Sequence, residues 1–502
     1  MKKLINITLL SFLLLTGYAC KDGIMDLNKE PLGKPSSSVL YTTEDGIHKL
    51  VSGAYAQTRN FGLSGFGWFV AKEVGSDDTN PGSTPADGSV PRMEQVNDFT
   101  YLASQNDLSS FYDNLYTLIA RANLVINNAP DVEMDEGLKA RYIGEARFLR
   151  AFGYFNLLRG WGGVSIYTEV PPTPEEASEV KPRASEEEVY QLIISDLENA
   201  IQGLPLKSGY PASELGRATK GAARTMLAQV YLSQQDYKNT LNYAMEVINS
   251  GEYSLLTTYD QNWSVEHQNG AESIFEVQFI TREEQDLSNE WNKWQGVRGT
   301  VGWGFFSPSE SLANAYEKGD PRRDYTIFFE SEALPGATDE VPDFPEDADP
   351  RANQKTLLPK PWPVGYPGNS PLNKVVMRYA DVLLMAAEAN NELGNTGEAL
   401  RYLEMIRARA REDNQDVLPE ITTTNKQELR HKIWKERRYE LALEGYRYFD
   451  ILRYNEVEPG FAENLFNGLG KTSFDPGKHT LFPIPQSEID FSGGTLEQNP
   501  GW

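Results

Sequence analysis

Known catalytic signatures are absent from this 502-residue sequence. It contains no H-E-x-x-H, no G-x-S-x-G and no G-x-G-x-x-G opening a helix, the patterns that mark zinc hydrolases, serine hydrolases and dinucleotide-binding folds. Gly470-Lys471-Thr472 resembles the end of a phosphate-binding loop, but Leu465 stands where the first glycine is required. The four histidines are far apart and have no metal-ligating neighbour. We therefore predict no catalytic residue, no metal site and no cofactor.

Carboxylates are abundant, and a chain with 72 acidic residues must bring some of them together. A glycoside hydrolase needs only two carboxylates about 5–10 Å apart, so a surface glycan-cleaving enzyme stays open as an alternative, although no local motif indicates such a pair. The acidic, proline-rich segment 334–351 is predicted to be an exposed loop. Its acids could bind calcium, but the residue spacing of an EF-hand loop is missing.

Aromatic residues in polar surroundings are the best candidates for a binding site. Sugars present apolar C–H faces and a rim of hydroxyls, so proteins hold them with aromatic rings beside amide and carboxylate groups. Two segments have this composition, and in the run SNEWNKWQG the tryptophans are expected to be exposed; for Trp303, core packing and exposure both remain open. The predicted ligand-binding residues are Trp68, Asp77, Asp78, Asn80, Trp291, Asn292, Trp294, Gln295 and Trp303.

The charge balance excludes one class of partner. The sequence has 47 basic residues against 72 acidic ones and a formal charge of −25, so its general field repels polyanions. Nucleic acid is therefore not an expected partner. An acidic surface also keeps a protein soluble, so the charge does not indicate a particular ligand.

The N-terminus has the pattern of a secretion signal. Lys2 and Lys3 precede an apolar run, residues 4–15, that is too short to span a bilayer. Small residues then lead to Cys20, which resembles a bacterial lipobox and is the only cysteine of the chain. We predict a signal peptide over residues 1–19, lipidation of Cys20 and a tether over residues 20–40. The alternative is an ordinary secretory signal with an incidental cysteine.

Helical periodicity dominates the elements that must position these residues. Residues 221–248 and 379–408 each contain two runs of apolar residues at helical spacing, separated by a turn. Both resemble tetratricopeptide units, in which small residues such as Ala386 and Ala399 let paired helices interlock; a generic helical hairpin is the alternative. We predict a mainly α fold with a hairpin scaffold over about 41–251 and 373–455, a loop-rich insertion with short strands over about 252–372, and a C-terminal segment 456–502.

Several motifs, taken in order, resemble the SusD/RagB family of surface lipoproteins from Bacteroidetes nutrient-uptake systems. The resemblance covers nearly the whole chain after the signal. The motifs are RANLVI from residue 121, GEARFLRA from 144, WGGV from 161, DPR from 320, MRYADVLL from 377, KERRYEL from 435, GYRYFD from 445, LFPIP from 481 and QNPGW from 498.

This resemblance implies a role and a partner. It implies a starch-binding-protein-like lipoprotein of the outer membrane, lipid-anchored at the cell surface, that captures a glycan and delivers it to a SusC-like TonB-dependent transporter. Capture of a peptide or another nutrient in the same kind of complex is the alternative. The charged motif residues are expected to serve the scaffold, with Glu145, Arg147 and Arg150 pairing with Arg437, Arg438 and Glu440.

Overall fold

The computed structural model describes residues 37–171, 173–281, 286–337, 339–362, 365–366 and 368–502. The predicted signal peptide, Cys20 and the tether as far as residue 36 lie outside the described residues. Residues 37–40, which we had assigned to the tether, begin the first helix.

The α-helices are numbered in chain order. They are α1 Ser37–Thr42, α2 Glu44–Thr58, α3 Phe61–Ser64, α4 Phe66–Phe69, α5 Val90–Asn97, α6 Asn106–Asn128, α7 Glu136–Trp161, α8 Pro174–Ala177, α9 Glu186–Gly203, α10 Lys220–Ser233, α11 Tyr237–Asn249, α12 Trp291–Gln295, α13 Glu310–Ala315, α14 Arg322–Thr326, α15 Tyr379–Glu392, α16 Thr396–Arg411, α17 Lys426–Leu441, α18 Arg447–Val457, α19 Phe461–Gly468 and α20 Gln486–Phe491. Within the part of the chain that the structure describes, no helix combines the length and apolarity needed to cross a bilayer.

The described strands are short and form three antiparallel pairs. They are β1 Ser273–Val277 with β6 Lys374–Arg378, β2 Ile280–Thr281 with β3 Asp286–Leu287, and β4 Ile327–Phe329 with β5 Arg351–Asn353. In the first pair Glu276 lies opposite Val375. The mainly helical fold class predicted from sequence is therefore confirmed.

Two long helices form the centre of the scaffold. Helix α7 packs against α6 on one side and α9 on another, and its buried residues surround it from Tyr142 to Trp161. A helix covered on all sides needs no polar stripe. Helix α9 starts at a capping box in which Ser185 and Glu188 satisfy each other's backbone N–H groups.

The two predicted helical hairpins are confirmed. Helix α10 pairs with α11, α15 pairs with α16, and α11 also packs on α15, so the hairpins stack on each other. The small residues Ala386, Ala387 and Ala399 are completely buried in this stack. Small side chains let paired helix backbones approach closely, which is the packing expected of tetratricopeptide-like units.

The charged motif residues form buried ion pairs, but with partners other than the predicted ones. Glu145 accepts from Arg217, and Arg147 and Arg150 both donate to Asp196. The second motif pairs elsewhere, because Arg437 binds Asp381 and Asp450 on helices α15 and α18. The scaffold role is therefore supported, whereas the predicted pairing between the two motifs is wrong.

The segment between the hairpins is anchored to the scaffold by buried polar contacts. The Tyr259 hydroxyl donates to the backbone oxygen of Glu440 at 2.7 Å. The Lys355 ammonium lies 2.7 Å from the Glu444 carboxylate. These contacts hold a region of short helices and strands against α17 and thereby place its surface loops.

Candidate functional site

Two exposed aromatic rings lie above a cluster of buried rings. The Phe61 side chain is 53% exposed and Trp303 is 42% exposed. Phe61 contacts Phe66 and Trp294, Phe66 contacts Phe305, and Phe305 contacts Trp303, with ring centroids 5.2–6.3 Å apart. We call the Phe61 and Trp303 rings and the polar groups beside them the aromatic surface.

A glycine-containing loop after α12 positions Trp303. The Trp303 N–H donates to the Lys293 oxygen at 2.6 Å, and Gly304 N–H donates to Gly296 oxygen at 2.9 Å. A Cβ on Gly302 would lie 2.6 Å from that same Gly296 oxygen, so the loop closes only around glycine there. The fold therefore holds the Trp303 backbone at the protein surface.

Phe61 begins the short helix α3, which follows directly after α2. Asn60 caps this helix, with its side chain accepting from the Gly62 N–H at 2.9 Å. The Phe61 ring stacks on Phe66 at 5.4 Å and meets the Trp294 ring edge-on at 5.2 Å. Its inner side is thus supported by rings, while more than half of the side chain faces solvent.

Charged side chains lie beside Trp303. The Lys293 ammonium lies 4.6 Å from the centre of the Trp303 ring and 2.7 Å from the Glu290 carboxylate. Arg298 donates to the Trp303 carbonyl oxygen at 3.1 Å and lies 3.4 Å from the Asp87 carboxylate. Lys293 therefore interacts with the Trp303 ring, while Arg298 holds the Trp303 backbone. Both side chains can donate further hydrogen bonds at the edge of the aromatic surface.

The predicted exposure of Trp291 and Trp294 is wrong. Trp291 is only 8% exposed and Trp294 only 5%. The Trp291 indole N–H donates to the Ser64 oxygen at 3.1 Å, and its ring meets Phe69 edge-on. Both rings pack against residues from α3 and α4, more than two hundred positions earlier, so the polar neighbours in the sequence gave no sign of their partners.

Asn292, Gln295 and Trp68 are buried as well. The Asn292 amide donates to the Tyr366 hydroxyl at 3.2 Å, and the Gln295 oxygen accepts from Asn353 at 3.1 Å. Trp68 lies under the Lys72 and Lys374 ammonium groups at 3.4 and 4.1 Å from its ring. The prediction that these side chains form a ligand platform at the surface is contradicted by their burial.

Beside Trp68 lies a buried carboxyl group with unusual electrostatics. Burial, with a smaller repulsion from Asp78, raises the pKa of Glu73 to about 8. Burial also lowers the pKa of the Lys72 and Lys374 ammonium groups well below their usual values. These groups are enclosed by the core and belong to its packing, because none of them reaches the aromatic surface.

Asp77 and Asp78 are occupied by arginines of the scaffold. Arg447 donates to Asp77 at 2.7 Å and Arg438 donates to Asp78 at 2.6 Å. Burial opposes ionisation of both carboxyls. For Asp77 the two guanidinium groups outweigh burial and lower the pKa, whereas for Asp78 burial dominates and raises it. The fold thus uses these acids in buried ion pairs, and contact between them and a ligand stays a prediction.

Asn80 is partly buried. Its amide donates to the Asp349 carboxylate at 2.7 Å. With Asp77 it lines a polar cavity of about 540 Å³ that also includes Lys471 and Arg351. Of the predicted early-loop residues, Asp77 and Asn80 therefore come together at this cavity, whose lining does not include Trp303.

The aromatic surface has the groups that hold a sugar. A ring with an open face can stack on an apolar sugar face, and the rim can hydrogen-bond hydroxyls. Across the ranges that the structure describes, no three His, Cys, Asp or Glu side chains are placed to hold a metal ion.

Sequence reasoning identified Trp303 but missed the rest of this surface. Phe61, Lys293 and Arg298 were not among the predicted residues, although Lys293 stands inside the tryptophan-rich run. The sequence offered one usable signal, the glycines at 302 and 304, which mark a tight loop around Trp303. Phe61 has no comparable signal, since its proximity to Trp294 depends on the tertiary fold.

The fold and this surface define a scaffold of stacked helical hairpins with an exposed aromatic face. Comparison with known proteins agrees with this description. The profile of the SusD family matches residues 366–502, and a second profile, described as starch-binding and associating with outer membrane, matches residues 73–232. A SusD-like protein of Formosa agariphila is 30% identical over 391 residues, covering 69% of this chain and 72% of the relative. The chain belongs to the SusD family.

Solved structures show the same architecture. A SusD-like protein of Bacteroides fragilis superimposes with a TM-score of 0.77 at 24% identity, covering 94% of this chain and all of that one. A protein described as a laminarin binding SusD-like protein has a TM-score of 0.76 at 29% identity, covering 92% of this chain and all of that one.

Proposed function

We propose that this protein is a lipid-anchored outer-membrane protein that captures a glycan at the aromatic surface and delivers it to a SusC-like TonB-dependent transporter. The observation that carries the proposal is the exposed Trp303 ring, held by its loop and flanked by Lys293 and Arg298. An exposed indole in water is unfavourable for an unliganded protein, and stacking on a sugar offsets that exposure.

The buried rings beneath Phe61 and Trp303 hold these two side chains in place, which favours ligand binding. The Phe61 and Trp303 rings rest on Phe66, Trp294 and Phe305, which are buried. A ligand that stacks on pre-positioned rings loses less conformational freedom from the protein on binding. Mixed charges at the rim fit a neutral ligand with many hydroxyls better than a strongly charged one.

The descriptions of two solved relatives support a glycan as the ligand. One solved relative at 29% identity is described as laminarin binding, and a second, at 25% identity, is described as a surface glycan-binding protein of Bacteroides uniformis. These descriptions concern those proteins. They make laminarin the first polysaccharide to test with this chain.

Membrane attachment and transport are further parts of the proposal. The lone Cys20 after a short apolar run would carry the lipid, and the second family profile refers to outer-membrane association. A TonB-dependent barrel would then receive the ligand. We expect the protein to co-purify with such a barrel from native membranes, and failure to do so under conditions that preserve comparable pairs would contradict this part.

Glycan capture is tested by affinity electrophoresis of the purified protein in gels containing laminarin and a panel of other soluble polysaccharides. We expect retardation by at least one polysaccharide. Chromatography of the same glycan after prolonged incubation should show no shorter products. Absence of binding across the panel would contradict the proposal, and released products would favour the glycan-cleaving alternative.

A further inference from the structure

A second concave site lies along helix α6 of the scaffold. Side chains of α6, of residues 165–171 and 178–180 and of the C-terminal residues 488–496 enclose a groove of about 590 Å³. None of its lining residues belongs to the aromatic surface. The groove is large enough for a small organic ligand.

Tyrosine rings form much of the wall of this groove. The rings of Tyr112 and Tyr116 lie 4.9 Å apart, and those of Tyr116 and Tyr167 lie 5.9 Å apart. Two of the hydroxyls are engaged with the backbone, because Tyr116 donates to the Ser165 oxygen and Tyr167 accepts from the Lys181 N–H. These contacts fix the rings and leave mainly their aromatic surfaces for a ligand.

An exposed apolar side chain stands at the C-terminal side of the same groove. Phe491 ends helix α20 and is 65% exposed. Val170 and Leu496 also line the groove. A contiguous apolar lining of this kind is unfavourable in water unless a ligand covers it.

The charged groups that line the groove all have the same sign. They are Asp113, Glu169, Glu179 and Glu488, and no lysine, arginine or histidine in the described ranges lines it. Among the described residues none of these four carboxylates is in an ion pair. Burial, together with the charge of Glu488, raises the pKa of Asp113 to about 6. The described part of the chain therefore leaves this negative charge without an ion-pair partner.

Two cations near the groove, Lys181 and Arg183, form no described ion pair with its carboxylates. The Lys181 ammonium lies 5.5 Å from the centre of the Tyr167 ring, at the margin of the groove. Arg183 donates to the backbone oxygens of Gly163, Trp161 and Glu497. The position of Lys181 shows that a positive charge is accommodated next to these rings, as the aromatic quadrupole favours.

We propose that this groove is a binding site for a small organic cation, an ammonium or guanidinium group on an apolar body. The tyrosine rings and Phe491 would cover the apolar body and face the positive charge, while Asp113 and Glu488 would neutralise it. This proposal does not depend on glycan capture at the aromatic surface.

Two probes of the same shape distinguish recognition of a positive charge from mere filling of the groove by an apolar group. Choline carries a quaternary ammonium group, and 3,3-dimethylbutan-1-ol has the same shape with a neutral carbon in place of the nitrogen. Both are titrated into the purified protein and followed by ligand-detected NMR. We expect choline to bind about tenfold more tightly than the neutral alcohol, because cation–π contacts and the carboxylates act only on the charge.

Variants locate the site and test its chemistry. The Asp113→Asn, Glu488→Gln double variant should lose the tenfold preference for choline, and Phe491→Ala should weaken both probes. The control pair Glu463→Gln, Asp416→Asn removes the same net charge from exposed positions outside the groove and should keep the preference. Trp303→Ala should also leave choline binding unchanged.

Three results would overturn the proposal. They are equal affinity for the two probes, absence of saturable choline binding, and an unchanged preference in the double variant. Each variant must show a native thermal transition. If the double variant does not fold, the single Asp113→Asn change serves instead, with about a threefold loss of the preference expected. Loss of glycan binding alone would leave this site unaffected, so the two proposals fail separately.

Discussion

Trp294 and Trp303 are nine positions apart in the chain and have opposite environments. Trp294 is enclosed by Phe61 and Phe66, whereas Trp303 keeps an open side and a cation next to its ring. The sequence around Trp294 is polar, and this composition led to the prediction that it is exposed. The error has a physical cause: the apolar partners of Trp294 come from distant helices that local composition cannot show.

Replacing these two residues should have different effects on stability. Trp294→Ala leaves a cavity among packed rings and should lower the free energy of unfolding by about 3–5 kcal/mol. Trp303→Ala should change it by less than about 1 kcal/mol, because nearly half of the side chain is already in water. Urea denaturation followed by circular dichroism measures both. Equal losses for the two variants would show that Trp303 belongs to the core.

His479 should make stability depend on pH. It is buried, and its Nδ1 accepts the Asp475 N–H at 2.9 Å, so the imidazole is neutral in the folded state. Burial, with a contribution from Lys478, lowers its pKa to about 4. The unfolded state then binds the extra proton between about pH 6.5 and pH 4, so stability should fall as the pH decreases through this window, at up to about 1.4 kcal/mol per pH unit.

The contribution of this histidine is isolated by comparing variants. His479→Asn keeps an acceptor for the Asp475 N–H but cannot titrate, so its stability should decline less than that of the unmodified protein between pH 7 and pH 4.5. The same change at the partly exposed His267 is the control and should preserve the full decline. Parallel curves for His479→Asn and the unmodified protein would refute this assignment.

At the level of elements, the helices were predictable and the contacts between their charges were not. The hairpins were found because apolar residues recur at helical spacing and the turns between them are polar, which are local properties. The ion-pair motifs were assigned to the scaffold, yet Glu145 pairs with Arg217 and Arg437 with Asp381. Charge complementarity alone cannot select among the many arginines and carboxylates of this chain.

Glu440 joins several of these elements. Its buried carboxylate on α17 binds Arg378, Arg409 and Arg322, which come from the end of β6, from α16 and from α14. Burial opposes its ionisation, but the three guanidinium groups outweigh burial and lower its pKa.

Removing this charge should be costly. Glu440→Gln leaves three buried guanidinium groups undercompensated and should lower the free energy of unfolding by about 3–5 kcal/mol. Glu463→Gln, the same change at an exposed site, should stay within about 0.5 kcal/mol. Denaturant titration of both variants gives the comparison, and a small effect at Glu440 would mean that the network relaxes around the lost charge.

At the level of the whole molecule, family motifs and helical periodicity predicted the scaffold. Which residues form its exposed aromatic surface could be determined only from the structure. The SusD family assignment rested on motifs that serve packing and ion pairing. Such motifs identify a fold without identifying a ligand. Of the candidate binding residues Trp303 is largely exposed and Asn80 partly so, while the others are buried, because exposure depends on how α3, α4 and the loop after α12 pack together.

Isothermal titration calorimetry with the polysaccharide that the affinity gels identify, beginning with laminarin, is the most direct test of glycan capture at the aromatic surface. Each stacked ring should contribute about 1 kcal/mol, so the Phe61→Ala, Trp303→Ala double variant should bind about thirtyfold more weakly. Phe491→Ala removes an even more exposed ring from the other groove and should bind normally. Unchanged affinity in the double variant, with native stability, would contradict the central claim.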